Sequence, residues 1–212
     1  MQAVLFDFDG VVIRSMGDHY QGWRKALQEY GIDMAPEELY VMEGAGVEEL
    51  ATQFIRKFNI PYDQASNIIN KKRIYYEQIK KIEFYPNLIN VLQWIEEKEL
   101  KTALVTGGER YRVMDTLENY GLADKFEVIV TSDDVQYTKP APEPYLRAAD
   151  ILEVEPEACV VIENAPLGIR SAKNAGMRCI AVTTTLPRTF LAQADVVTDS
   201  LEEVLDTLKR MY

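Results

Sequence analysis

The chain has 212 residues, 47% of them apolar and 27% charged. This composition suits a globular protein with room for one full-sized domain and a smaller one, and excludes a fibrous or disordered chain. Its 23 Lys and Arg against 34 Asp and Glu leave a net charge of −11, so its surface repels phosphate backbones and anionic lipid heads, and neither nucleic acid nor a membrane is expected as a partner.

Ala3–Phe6 reads as a short apolar strand, too short and too soon followed by charge to serve as a signal peptide. No stretch approaches the ~18 apolar residues of a bilayer span, and a cytoplasmic location is expected. Residues 15 to 80 hold no comparable strand; helices are expected over about 16–30, 36–40, 46–58 and 63–80, broken by Gly31, by Gly44 with Gly46, and by Asn59-Ile60-Pro61. From about residue 82 onward, short apolar runs alternate with amphipathic segments in a βαβα rhythm. Strands are expected at Thr102–Val105, Val128–Val130, Cys159–Ile162, Cys179–Val182 and Asp195–Val197. The near-continuous apolar character of the first four suits parallel strands covered on both faces. Between them, Leu88, Val91, Leu92 and Ile95 share one helix face, Gly121 and Gly176 stand at helix C-termini, Pro142 and Pro166 near helix starts, and Ser200 caps the last helix.

The expected fold is therefore α/β: a doubly wound parallel Rossmann-like sheet from residues 1–14 and 81–212, with residues 15–80 inserted as a four-helix cap. A ligand is expected in the cleft between cap and sheet edge. One His and two Cys cannot build a four-ligand zinc site, and Cys159 and Cys179, within apolar runs, are expected to be buried inert thiols. No sustained heptad predicts self-association, so a monomer is the default.

The chemistry-bearing residues stand at the strand ends. Asp7 and Asp9, at i and i+2 after the first strand, place two carboxylates on one side of the chain, a pair costly to hold together without a hard cation such as magnesium. An acidic turn is the plainer alternative for the pair alone. Gly10 lets the backbone turn tightly toward a bound anion. Thr106-Gly107-Gly108 offers a hydroxyl and exposed amides suited to a phosphoryl oxygen. Prolines hold Lys139 in a stiff loop, where it either meets an aspartate or phosphoryl charge or is an ordinary surface lysine. Glu163 and Asn164 end the fourth strand with two groups able to hold magnesium or orient its waters, although Asn164 could equally cap the next helix. In a doubly wound sheet all four strand ends meet at one crevice.

The order Asp7-x-Asp9-Gly10, Thr106, Lys139-Pro140, Glu163-Asn164 closely resembles the four motifs of the haloacid dehalogenase superfamily, over essentially the whole chain. Asp7-Phe-Asp-Gly-Val-Val, Lys139-Pro-Ala-Pro-Glu-Pro-Tyr and Glu163-Asn-Ala-Pro-Leu-Gly resemble the helical-cap branch of phosphoglycolate and sugar-phosphate phosphatases, β-phosphoglucomutase and a pyrophosphatase-like group. The resemblance implies a magnesium-dependent phosphohydrolase of a small phosphorylated metabolite. Asp7 would be the nucleophile forming an aspartyl-phosphate, Asp9 the acid and base, and Thr106 and Lys139 the grip on the phosphoryl oxygens. Magnesium would be held by Asp7, the Asp9 carbonyl and Asn164, with Glu163 as a further or outer ligand. Asn164 departs from the common Asp and resembles the pyrophosphatase-like members. Glu43, in the cap's Gly loop, stands where mutase-like members carry a base for a remote phosphate, so it would repel a second sugar phosphate. His19 resembles a hinge histidine, and of the cap cluster Lys71-Lys72-Arg73, Arg73 is the residue expected over the leaving group. The alternatives are an inorganic pyrophosphatase, a β-phosphoglucomutase and a ligand-binding pseudoenzyme; a receiver-like signalling domain is too short and lacks a cap.

Overall fold

The computed structural model describes residues 1–212. Six strands, β1 (Ala3–Phe6), β2 (Lys101–Val105), β3 (Val128–Val130), β4 (Cys159–Glu163), β5 (Arg178–Val182) and β6 (Val196–Thr198), form one sheet in the order β3-β2-β1-β4-β5-β6. Every pairing is parallel, with Phe6 opposite Leu104 on one side and Ile162 on the other. The chain winds outward from β1 through β2 to β3, then returns beside β1 as β4 and winds the other way. The crevice at the carboxyl ends of β1 and β4 is thus the switch point where a doubly wound sheet binds its ligand.

Period-two alternation divides β1 between two cores. Val4 and Phe6 join the apolar cluster under α5 (Leu88–Glu97), α6 (Arg110–Asn119) and α9 (Leu201–Met211). Ala3 and Leu5 join the one under α7 (Glu143–Ile151) and α8 (Pro166–Asn174). All four are fully buried, so strand hydrophobicity on both faces is what the parallel arrangement demands. Ser200 caps α9, its hydroxyl accepting the Glu203 amide at 3.2 Å.

Four helices, α1 (Met16–Gln28), α2 (Pro36–Tyr40), α3 (Val47–Phe58) and α4 (Ala65–Ile79), follow β1 as the inserted cap. They surround a third apolar cluster containing Trp23, Leu27, Phe54 and Ile68, which also takes in Leu167 from α8 of the sheet-bearing part. Boundaries differ from the sequence reading by one or two residues. The first cap helix ends at Gln28 because Tyr30 and Gly31 bond back to Leu27 and Gln28 in a turn. The last strand starts at Val196, since Asp195 pairs with Lys173 and accepts the Cys179 amide. No helix is long and apolar enough to cross a membrane.

Candidate active site

β1 delivers Asp7 to the crevice, and the turn after it delivers Asp9. Gly10 makes this turn possible: it has φ +91°, and a Cβ there would lie 2.1 Å from the Asn164 side-chain nitrogen. Asp7 is 3% exposed. One of its oxygens accepts a 2.6 Å hydrogen bond from Lys139 Nζ, while Oδ2 has no partner. Burial pushes the Asp7 carboxyl up to about 7, with neighbouring Glu163 adding to the rise and Lys139 opposing it.

Lys139 is fully buried, and its ammonium also donates to Glu163 at 2.7 Å and to the Val105 carbonyl at 3.0 Å. Burial works against its charge, but the two carboxylates outweigh it and hold the ammonium protonated, its pKa above the ordinary lysine value. The stiff-loop lysine is therefore an interior cation and not a surface one. Glu163 accepts from Lys139 and Tyr145 on Oε1 and from the Asn164 and Ala165 amides on Oε2. Four donors occupy the roughly four lone-pair sites of its carboxylate. Of the two roles open to Glu163, further or outer ligand, the outer one agrees with these contacts, since its oxygens place Lys139 and the Asn164 backbone.

Asp9, also buried, is held by Ser15 Oγ at 2.5 Å, by Arg112 through Nη1 at 2.9 Å and Nη2 at 2.5 Å, and by His19 Nε2 at 3.1 Å. Burial alone would raise its pKa; Arg112 and His19 reverse that and hold the carboxyl well below the usual range. Lys72 Nζ meets His19 Nδ1 at 3.1 Å. Because the Lys72 ammonium can only donate, Nδ1 accepts and Nε2 carries the hydrogen that His19 gives to Asp9. Burial, with Lys72 adding to it, lowers His19 to about 3, so the ring is neutral. Burial likewise lowers Lys72 to about 7, helped by Arg112.

The cap's Gly loop closes directly on the crevice. A Cβ on Gly107 would lie 2.4 Å from the Gly44 carbonyl oxygen, and Gly46 donates its amide to Thr138 Oγ1 at 3.2 Å. Thr106 is buried, and its hydroxyl accepts the Gly108 amide at 2.9 Å. Glu43 descends from this loop to accept from Asn164 Nδ2 at 3.0 Å. Burial, followed by Asp7 and Asp9, raises the Glu43 carboxyl well above its usual value. The resulting cavity, about 70 Å³, is lined by Asp7, Asp9, His19, Glu43, Lys72 and Arg112 among others.

Arg73, expected over the leaving group, is outside the cavity. It pairs with Glu109, Nε to Oε2 at 3.2 Å and Nη2 to Oε1 at 2.5 Å, at the seam of cap and core. Its neighbour Lys72 occupies the interior position. α4 buries Ile68, Ile69, Lys72 and Tyr76, spaced three and four apart, so helical phase alone turns residue 72 inward and 73 outward. Sequence reasoning also missed Ser15, Tyr145 and Arg112. Tyr145 falls inside a quoted motif, but Ser15 and Arg112 lie outside all four.

Three buried oxygens find no hydrogen-bond partner: Asp7 Oδ2, Asn164 Oδ1 and Glu43 Oε1. No three His, Cys, Asp or Glu side chains cluster as a metal site anywhere in the chain, so a cation here would draw further oxygens from amide or backbone groups, water or substrate. Orphaned oxygens of this kind are costly unless something electropositive meets them, and they are the hard donors magnesium takes. The donor set therefore fits a hard divalent cation.

Residues 4–182 match the haloacid dehalogenase-like hydrolase family. The chain is 29% identical over 209 residues to the validoxylamine A 7'-phosphate phosphatase of Streptomyces hygroscopicus subsp. limoneus, covering 96% of this chain and 95% of that one. It is 29% identical over 218 residues to the phosphorylated carbohydrates phosphatase of Thermotoga maritima, covering 100% of both. The structure of CbbY from Rhodobacter sphaeroides in complex with phosphate superimposes with a TM-score of 0.79 at 25% identity, covering 96% of each chain.

Proposed function

Because the chain belongs to the haloacid dehalogenase-like hydrolases and is a phosphoric-ester hydrolase, we propose that it hydrolyses a small phosphorylated metabolite with magnesium, through a phosphoryl group carried on Asp7. The observation that carries this reading is the asymmetry of Asp7. Lys139 fixes one oxygen at 2.6 Å, and the other is buried, unpartnered and free to attack.

Asp7 Oδ2 would form the new bond to phosphorus as the ester oxygen departs. Lys139, Thr106 and the Gly107 amide would hold the phosphoryl oxygens. Asp9 would serve as the acid and base that the resemblance implies; Ser15, His19 and Arg112 hold it ionised, so it would first have to gain a proton from solvent before passing one to the leaving oxygen, and it would later take one from water. Asp7 and Asn164, with the Asp9 carbonyl implied by resemblance, would hold magnesium, which offsets the charge gathered on the transferred group. The two named phosphatase relatives support a phosphorylated carbohydrate or similar metabolite as substrate.

One observation favours a second reading, inorganic pyrophosphate. Glu43 fills the crevice down to Asn164 and leaves about 70 Å³, far below the ~300 Å³ of sites that enclose larger ligands. An acid at that place also disfavours the second phosphate of a mutase substrate. The two readings separate in a phosphate-release assay with magnesium against pyrophosphate, phosphoglycolate, hexose and pentose phosphates and nucleotides, with Asp7→Asn as the blank. Release from one or more organic phosphates, absent in the blank, supports the first reading, and release from pyrophosphate alone supports the second. Release that survives Asp7→Asn would remove Asp7 as nucleophile, and silence across the panel at high magnesium would refute both.

A further inference from the structure

Arg112 belongs to none of the strand-end motifs, yet it is the strongest partner of Asp9. It sits in the first turn of α6, is 7% exposed, and forks both Nη atoms across both oxygens of Asp9. A guanidinium carries five N–H donors. Two are engaged on Asp9 and Tyr76 lies against the group as a further partner, which leaves donors over on a guanidinium that lines the cavity.

Lys72 stands nearby with the same imbalance. It is 8% exposed, makes no ion pair, and touches only His19 Nδ1 and the Trp23 and Tyr76 rings. The remaining acids of the lining are accounted for elsewhere: Glu109 by Arg73, Asp7 by Lys139, and Glu43 by Asn164. Arg112 is therefore an interior cation whose one paired carboxylate is Asp9, the residue that has to meet the leaving oxygen, and Lys72, behind His19, adds charge beside it when protonated. An interior guanidinium with donors to spare at the wall of the cavity is suited to a second anionic oxygen.

We propose that Arg112 is a specificity-determining residue: its guanidinium, with Lys72 beside it, receives an anionic oxygen on the leaving group while still holding Asp9. The preferred substrates are then phosphoryl compounds whose leaving group carries a second phosphoryl or a carboxylate next to the scissile bond, over those that release a neutral polyol. This inference rests on the hydrolase reading of the site.

The test compares kcat/KM for pyrophosphate, phosphoglycolate and glycerol phosphate in the wild type, Arg112→Gln and Arg112→Lys. Loss of Asp9 placement lowers all three together, whereas loss of an anion contact lowers only the first two. The ratio of anionic to neutral leaving-group substrates should fall about 10- to 100-fold in Arg112→Gln, the value of a charge-assisted contact, and be largely kept in Arg112→Lys. The pyrophosphate and phosphoglycolate arms show which anion the site takes. A ratio unchanged in Arg112→Gln would overturn the proposal and leave Arg112 as a support for Asp9 alone.

A second measurement does not need turnover. Imidodiphosphate binding to Asp7→Asn, followed by calorimetry with magnesium, should weaken by the same factor on adding Arg112→Gln, while inorganic phosphate binding stays within about twofold. Equal losses for both ligands would overturn the inference. Absence of hydrolysis in the wild type would instead refute the hydrolase reading. Should Arg112→Gln not fold, Gly108→Ala serves in its place: a Cβ there would lie 2.3 Å from Arg112 Nη2, so it displaces the guanidinium without removing its charge, and an unchanged ratio would again count against the proposal.

Discussion

Replacing Lys139 by Met keeps the length of the side chain and removes its charge from a fully buried position. Three hydrogen bonds vanish, to Asp7, Glu163 and the Val105 carbonyl. Two carboxylates, each almost wholly out of water, then face each other with no cation between them. Breaking a buried pair by deleting one partner costs about 3–5 kcal/mol, because the uncompensated charge remains. Urea denaturation followed by circular dichroism at pH 7.5 should show a loss of this size. The loss should grow as pH rises above about 7. Lys139 lowers the Asp7 carboxyl, which titrates near 7 with the ammonium beside it and higher without it, so the difference between the two proteins narrows as pH falls to about 7 and is then constant. Adding Glu163→Gln to the variant removes one of the stranded charges, and its amide oxygen can still face the Asn164 and Ala165 amides. The double variant should recover about 1–3 kcal/mol relative to simple additivity. A Lys139→Met protein within about 1 kcal/mol of the wild type, or a double variant less stable than additivity predicts, would refute the argument that Lys139 holds two buried acids together.

Further outcomes follow from other parts of the site. Magnesium has to displace the proton that burial raises onto Asp7, so its affinity should climb with pH through about 7; calorimetry in buffers of different ionisation enthalpy should show proton release on binding, and pH-independent affinity would contradict the Asp7 assignment. Gly107→Ala puts a methyl against the Gly44 carbonyl, so it should raise KM by holding the cap open while urea stability changes by less than about 1 kcal/mol; an unchanged KM would mean that the cap need not close for turnover. Lys72, lowered by burial to about 7, is neutral in the fold and charged in the unfolded chain between about 7 and 10.5, so it makes stability rise with pH across that window. Lys72→Met should flatten this rise, and a wild-type slope in the variant would show that another group causes it.

Much of this fold could be read from pattern because parallel strands covered on both faces must be apolar, as β1 is throughout and β4 and β5 are apart from Glu163 and Arg178 at their ends. Site residues at the strand ends were legible for a related reason: Asp7, Thr106, Lys139 and Glu163 each directly follow or end an apolar run, or sit in a loop stiffened by proline. Arg112 was not legible. It occupies a helix of mixed polarity where an arginine ordinarily points to water, and its partner lies 103 residues away. Ser15 is similarly silent until the chain has folded. The choice of Arg73 over Lys72 was a different kind of miss, since the apolar spacing of Ile68, Ile69 and Tyr76 already set the phase of the helix. For Glu163, spacing reports where a carboxylate arrives, while only coordinates show how many donors already claim it.

Leu167 gives the two parts of the molecule a shared fate. It is carried by α8, beside the Asn164 loop, yet its side chain belongs to the apolar cluster of the inserted helices. The insert's interior is therefore incomplete by itself, and its melting exposes a residue anchored to the strand end that shapes the crevice. Such an arrangement merges two would-be foldons into one cooperative unit. Amide hydrogen exchange should accordingly find the slowest protons of α1 and α4 opening together with those of β4, where an independently folded insert would release its own protons first.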